Sequence, residues 1–252
     1  GASKRGWTAW LTAAAGDPRV IAISPLVIDN LNFLVQMAHQ LEVFGKPSDM
    51  IADYTKRKLI PPPDGSRAVK LWSMVDPWVY RKQLTMPKLI VNGANDPYWA
   101  TDALNFYWDD LPGPKAVIYV PNAGHNLEQD RGGGRKDRDR VVNGLSAFAK
   151  SEIFGTAFPK QTWKHSDVDG KPTLVVTTDM APKAVRVWTA DAKTKDFRKS
   201  TWTESTVPFA DGKATATAEL PGEGYKAFFA ECEYEIDGLT FWLSTQMRVL
   251  GK

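Results

Sequence analysis

The sequence predicts an α/β protein that gives way to an all-β unit in its last third. Over residues 1–155, short continuous apolar runs alternate with segments of helical period. After about Ile153 the pattern changes to short alternating segments separated by Asp-Gly and Pro-Gly pairs. The chain also opens on Gly1-Ala2-Ser3-Lys4-Arg5-Gly6, a small-x-Ser turn that runs straight into an Ala-rich segment. The expected architecture is a mostly parallel sheet with helices on both faces over 1–155. An immunoglobulin-like or fibronectin-like sandwich over 166–252 would follow it.

Residues 7–15 are rich in small side chains and predict a helix that packs closely on a sheet. Gly16-Asp17-Pro18 stops it by glycine C-cap and proline chemistry. Val20-Ile21-Ala22-Ile23 reads as a parallel strand covered on both faces, closed by Ser24-Pro25. The alternation lapses from Asn30 to Gln83. Within that block Phe33, Leu34, Met37, Leu41 and Phe44 have helical spacing, which leaves His39 off the stripe and on the helix surface. Pro61-Pro62-Pro63-Asp64-Gly65 reads as an irregular loop, and Trp72, Trp78 and Tyr80 gather around Asp76-Pro77. The block from about 30 to 85 fits a helical cap that roofs a pocket, and equally fits helices that merely cover the sheet.

Residues 87–93 form a second expected strand and lead into Ala94-Asn95-Asp96-Pro97; residues 101–108 then read as a helix. Ala116-Val117-Ile118-Tyr119-Val120 is a third strand, ending in Pro121-Asn122-Ala123-Gly124-His125. Residues 137–148 predict a helix with Val141, Val142, Leu145 and Phe148 on one face. Period-2 segments follow at 173–178, 184–189, 214–219, 225–236 and 239–249, with turns at Asp211-Gly212, Pro221-Gly222 and Asp237-Gly238. In 225–236, Phe228, Ala230, Cys232, Tyr234 and Ile236 share one face while Glu231, Glu233 and Glu235 share the other. Cys232 is therefore expected as a core thiol.

Chemistry concentrates at three positions. A serine hydroxyl needs an imidazole to take its proton, and the imidazole needs a carboxylate to fix its tautomer. α/β-Hydrolases hold such a serine on a strained strand-to-helix corner, with partners in the chain order Ser, acid, His. Here Ser3, Asp96 and His125 stand in that order, the last two after expected parallel strands. The corner departs from the usual spacing: Gly1 lies two before Ser3, but Arg5 lies two after it and Gly6 one further. In this reading Ser3 attacks, His125 is base and then acid, Asp96 orients His125, and the Lys4 N–H holds the oxyanion. A second oxyanion donor belongs to a loop before the corner. Trp72, Trp78 and Trp99 would shape the pocket.

Other features carry less. The run from Arg131 to Lys136, with Gly132, Gly133 and Gly134, lacks the Gly-Lys-Ser/Thr ending of a phosphate loop and reads as a solvated loop. His165 has no metal-type neighbours, no zinc or calcium motif is present, and no cofactor is expected. A net charge of +3 gives no electrostatic case for nucleic acid or an anionic membrane. One cysteine excludes an internal disulfide. No apolar run is long enough for a transmembrane segment. Hydrophobic content of 43% and ten tryptophans suit a well-filled core with aromatic-lined pockets.

The octet at residues 1–8, Asp17-Pro18-Arg19-Val20, Asn92-Gly93-Ala94-Asn95-Asp96 and Asn122-Ala123-Gly124-His125-Asn126 together resemble the PhoPQ-activated pathogenicity-related proteins. The resemblance runs over nearly the whole chain. It implies an α/β-hydrolase domain, a triad at Ser3, Asp96 and His125, and a periplasmic or secreted location. It supplies no substrate beyond a small molecule or a peptide-like ester or amide, and no oligomeric state. Members carry several strands before the serine corner, so the chain is expected to be the C-terminal part of a longer protein. On that view the run 20–23 exposes an unpaired edge, and the chain alone is expected to be poorly soluble or inactive. Two other functions stay open: an exported binding or signalling protein without turnover, and a carbohydrate-binding or surface-adhesion role for the aromatic tail.

Overall fold

The computed structural model describes residues 1–60, 65–131 and 133–251. Helix α1 (Lys4–Ala14) follows the serine corner directly and buries Trp10 and Ala13 completely. Helices α2 (Phe33–Phe44), α3 (Ala52–Lys56) and α4 (Ser66–Val75) come next, then a 3₁₀ turn at Pro77–Gln83. Asp76 pins this helical block together. Its Oδ2 accepts the Phe33 N–H at 2.8 Å and its Oδ1 the Trp78 N–H at 2.9 Å. Burial pushes its carboxyl above the usual range, and the backbone donors pull it back. The expected loop at 61–65 lies, but for Gly65, outside the described residues.

Strands β1 (Lys88–Gly93) and β2 (Lys115–Val120) are parallel, with Leu89 opposite Ala116 and Gly93 opposite Val120. A small hairpin, β3 (Gln129–Asp130) with β4 (Lys136–Asp137), flanks the glycine run, of which Gly132 is outside the described residues. Helix α5 (Asp139–Phe154) closes the first half. The second half is β5 (Gln161–Val168), β6 (Lys171–Thr178), β7 (Ala184–Ala192), β8 (Thr203–Val207), β9 (Phe209–Ala210), β10 (Lys213–Thr217), β11 (Tyr225–Ile236), β12 (Leu239–Ser244) and β13 (Arg248–Gly251). Three of its hairpins turn on Asp-Gly pairs at 169–170, 211–212 and 237–238. Both residues of each pair have positive φ, as a two-residue type I′ turn demands.

The α/β expectation fails on the way the sheets are joined. Among the described residues, strand exceeds helix (32% against 27%) and the sheets are mixed and antiparallel. β1 and β2 do not end a parallel sheet of their own. Ser244 of β12 bridges Val117 of β2 antiparallel, and the Tyr119 N–H donates to Ser244 Oγ at 3.0 Å. One seven-stranded sheet therefore runs β1-β2-β12-β11-β7-β8, with β13 also on β11, and a four-stranded sheet β5-β6-β10-β9 packs against it. Among the described residues there is no parallel hydrolase-type sheet flanked by helices and followed by a separate sandwich.

Local differences have local causes. The run 20–23 forms no regular strand, because Pro25 has no N–H to give and its neighbours make only isolated bridges, Ile23 to Lys88 and Leu26 to Val91. The outer side of this segment is also partly covered: Leu26 bridges Ala2, donates to the Gly1 carbonyl and accepts from the Ser3 N–H, each at 2.9 Å. Residues 101–108 hold only a short 3₁₀ turn at Ala103–Phe106. In α5, Val141, Gly144, Ala147 and Phe148 face inward, whereas Val142 is exposed. His39 is buried rather than on the surface, with Nε2 2.6 Å from Asp102. Burial lowers its pKa, but the bonds and charges of Asp102 and Glu42 outweigh that and hold it above the usual value.

Both faces of β11 are buried. Phe228, Ala230, Cys232 and Tyr234 pack with Leu174 and Val176 of β6, while Ala227 and Phe229 pack with Trp188 and Tyr119 on the opposite side. Cys232 is the core thiol expected, and burial pushes it up to about 12. Glu231, expected on a polar face, is fully buried. It pairs with Arg140 of α5 at 2.7 and 3.0 Å and accepts from Trp188 Nε1 at 3.2 Å. Removing one member leaves the other charge uncompensated, so Arg140→Met should cost about 3–5 kcal/mol in urea unfolding. The double variant Arg140→Met/Glu231→Leu should recover most of that loss, and a single variant within ~1 kcal/mol of wild type would contradict this account of the junction.

Candidate active site

Ser3 sits at the corner between residues 1–2, where Ala2 bridges Leu26, and α1. Its backbone holds φ 53° and ψ −124°, a conformation that non-glycine residues adopt only under constraint. The surroundings supply the constraint. A Cβ on Gly6 would lie 2.6 Å from Ile28 Cγ2 and 2.9 Å from the Gly1 carbonyl, and one on Gly1 would lie 2.4 Å from the Arg5 carbonyl. The corner thus closes on Gly1 and Gly6. Arg5, where the usual spacing has a small residue, is exposed and tolerated because Gly6 takes that role.

The loops after β1 and β2 bring the other two residues in. His125 Nε2 lies 2.9 Å from Ser3 Oγ, and its Nδ1 lies 2.8 Å from Asp96 Oδ2. The Tyr98 N–H donates to Asp96 Oδ1 at 2.8 Å, so both oxygens of this buried carboxylate are engaged. The two loops touch through backbone: the Asn95 N–H donates to the Ala123 carbonyl at 3.0 Å. A Cβ on Gly93 would come within 2.5 Å of the Ala123 and Gly124 carbonyls, so only glycine permits this approach. The Tyr98 ring stacks on the His125 imidazole, centroids 4.0 Å apart, and limits its rotation.

The serine opens onto a cavity of about 380 Å³. Trp7, Ile28, Phe33, Ile51, Tyr54, Ile60 and Trp99 make its lining largely apolar, with Lys4, Asp53 and Arg57 also on the wall. Lys4 is the first residue of α1, where a backbone N–H has no acceptor within the helix and the helix dipole favours negative charge. Of the three expected pocket tryptophans, Trp99 lines the cavity. Trp72 lies one layer behind it, stacked on Phe33 at 3.9 Å, and Trp78 faces elsewhere, under the Arg81 guanidinium at 4.2 Å. Tyr98, Trp7 and Tyr54 escaped sequence reading. Only Tyr98 left a usable signal, an aromatic closing the Asp96-Pro97 turn.

A second carboxyl lies behind the first. Asp29 is buried, accepts from Asn92 Nδ2 at 2.7 Å and from the Tyr107 hydroxyl, and feels the charge of Asp96. Burial is the largest influence and pushes Asp29 up to about 7, against the pull of those two donors. Among the described residues no cluster of His, Cys, Asp or Glu could hold a metal, and no helix is long and apolar enough to cross a membrane. A corner serine, hydrogen-bonded to a histidine that is hydrogen-bonded to a carboxylate, is an arrangement that can activate a hydroxyl.

Residues 1–198 match the PhoPQ-activated pathogenicity-related protein family, and the chain belongs to that family. It is 34% identical over 257 residues to autocrine proliferation repressor protein A of Dictyostelium discoideum; the match covers 93% of this chain and 50% of that protein. The chain thus spans about half the length of the curated relative it matches. Among solved structures it is similar to a Br derivative of BhCBM56 (13% identity, 38% of this chain and 96% of that one, TM-score 0.27). It is also similar to the chitinase ChiW of Paenibacillus sp. str. FPU-7 (10% identity, 66% of this chain and 14% of that one, TM-score 0.28). At these TM-scores the likenesses carry no argument about this chain.

Two outcomes follow from the geometry. Gly6→Ala forces Ile28 or the Gly1 carbonyl to move, so it should destabilise the chain by about 1–3 kcal/mol and slow fluorophosphonate capture at Ser3. An unchanged capture rate would show that the corner does not depend on Gly6. Asp29 has a folded pKa above its unfolded one, so its contribution to stability is full below about pH 4 and is lost as pH rises to about 7. Urea midpoints of wild type should therefore fall relative to Asp29→Asn across that window; parallel pH curves would refute it.

Proposed function

We propose that the chain carries a serine hydrolase centre that cleaves an ester or amide through an acyl-enzyme. The observation that supports it most is the continuous hydrogen-bonded line from Ser3 Oγ through His125 to Asp96, at 2.9 and 2.8 Å, on a strained corner above an apolar cavity. Ser3 Oγ attacks the carbonyl carbon as its proton passes to His125 Nε2. The imidazolium, steadied by Asp96 at Nδ1, then returns that proton to the leaving alcohol or amine as the carbon–heteroatom bond breaks. Water reverses the sequence and frees the acid. The Lys4 N–H, at the positive end of α1, is the first donor to the oxyanion. The helices over 33–60 act as a cap on the cavity, whose size and lining suit a medium-sized apolar acyl group.

The name of the Dictyostelium relative supports a second reading, an exported signalling protein in which the same residues bind without turnover. Family membership supports a periplasmic or secreted location for the chain.

Activity-based labelling separates the two readings. A fluorophosphonate probe should label wild type at Ser3 and leave Ser3→Ala unlabelled. Asp96→Asn should lower ester turnover by about 10⁴-fold with the chain still folded, because His125 then holds the wrong tautomer. A folded wild-type chain that takes no label rejects the hydrolase reading.

A further inference from the structure

Beyond the three reacting side chains, we propose that Asn95 and Asn122 are positioning residues that lock the acid and base loops onto residues 197–202, making that loop of the β-rich half a structural part of the site. The chemistry rests on the hydrolase reading; the geometry stands without it. Asn95 immediately precedes Asp96, and its Nδ2 donates to the carbonyls of Phe197 at 3.0 Å and Ser200 at 2.8 Å. Asn122 lies three residues before His125. Its Nδ2 donates to the Trp202 carbonyl at 2.9 Å and its Oδ1 accepts the Trp202 N–H at 2.7 Å. Each loop that carries a proton-handling residue is thus held by an amide to one short segment some 80–105 positions further on.

That segment is itself fixed. Phe197 and Trp202 are buried, the Ser200 N–H donates to the Phe197 carbonyl, and Ser200 Oγ donates to the Asp191 carbonyl. Asn122 stands at φ 55°, a backbone region in which asparagine is among the few comfortable side chains. Asn95 keeps its bonds although its Oδ1 is buried with no partner among the described residues, a burden that an apolar residue would avoid. The same segment walls an open groove that reaches His125, with Asn126, Arg198 and Lys199 alongside. Displacing a catalytic group by about 1 Å is enough to cost 10²-fold in rate. Loops that share one anchor hold the Asp96–His125 distance more tightly than loops that move independently.

Asn95→Ala and Asn122→Gly test the proposal; glycine keeps the left-handed backbone at 122. Should either fail to fold by circular dichroism, the closer replacements Asn95→Ser and Asn122→Asp take its place. The first readout is the downfield His125 Nδ1 proton in NMR, assigned by its loss in His125→Gln, which reports the bond to Asp96 whether or not the chain turns over. The second is the fluorophosphonate labelling rate. Folded variants should lose or shift the Nδ1 proton and label 10–100-fold more slowly, with KM for a simple ester within about twofold. Folded variants that keep both readouts at wild-type values overturn the proposal, as does a wild-type chain without the Nδ1 signal. A wild-type chain with the signal but no labelling sinks the hydrolase reading alone, and the positions are then judged on the proton signal.

Discussion

Arg140 carries its charge from α5 into the junction between the two halves, where the fully buried Glu231 meets it. The indoles of Trp188 and Trp242 lie 5.6 and 5.0 Å from its guanidinium, and Gln129 takes its remaining arm. A buried ion pair is weak evidence of net stability, but neither partner can be withdrawn without exposing the other to an apolar interior. The pair therefore selects among arrangements. It fixes α5 against β11, and β11 in turn holds β12, whose Ser244 reaches β2. Other ways of docking the β-rich half would bury these charges apart. The mixed seven-stranded sheet is the arrangement that keeps them together.

That continuity reaches the candidate site. β2 ends one residue before Pro121, and the loop that follows must both pass Gly93 at backbone contact and meet Trp202 through Asn122. Behind Asp96 lies Asp29, whose carboxyl burial pushes up to about 7 against the pull of the donors Asn92 and Tyr107. Two ionised carboxylates at that depth would oppose each other. One acid serves the imidazole while the other fills space as a hydrogen-bonded core group.

The meeting of Ser3, Asp96 and His125 was more legible in the sequence than the fold. Ser3, Asp96 and His125 could be picked out because the serine corner, the Asp-Pro turn and the Ala-Gly-His end are local patterns, and because they stand in the order Ser, acid, His. The Asp-Gly turns were legible for the same reason, since φ > 0 at two successive positions restricts residue choice. What failed was long-range. Nothing in the apolar run of β2 tells whether its neighbour is another parallel strand or the antiparallel β12. Both demand the same continuous burial. Glu231 has the alternating spacing of a solvent-facing residue, and only the arrival of Arg140 from a remote helix reverses that. His39 failed similarly, its partner Asp102 lying 63 positions away.

A site assembled from such distant pieces sets a limit on how the molecule can be divided. Ser3 is held by the 24–28 segment, Asp96 and His125 by each other's loops, and those loops by residues 197–202. The strain at Ser3 persists only while its neighbours over-determine it, and those neighbours lean on β1, which leans on β2 and so on β12. Removing the β-rich half would thus do more than delete an appendage. It would leave β2 with a bare edge, Asn95 and Asn122 without the carbonyls they donate to, and Arg140 without its counter-charge. The two compositional halves of the sequence are one unit at the level of the site.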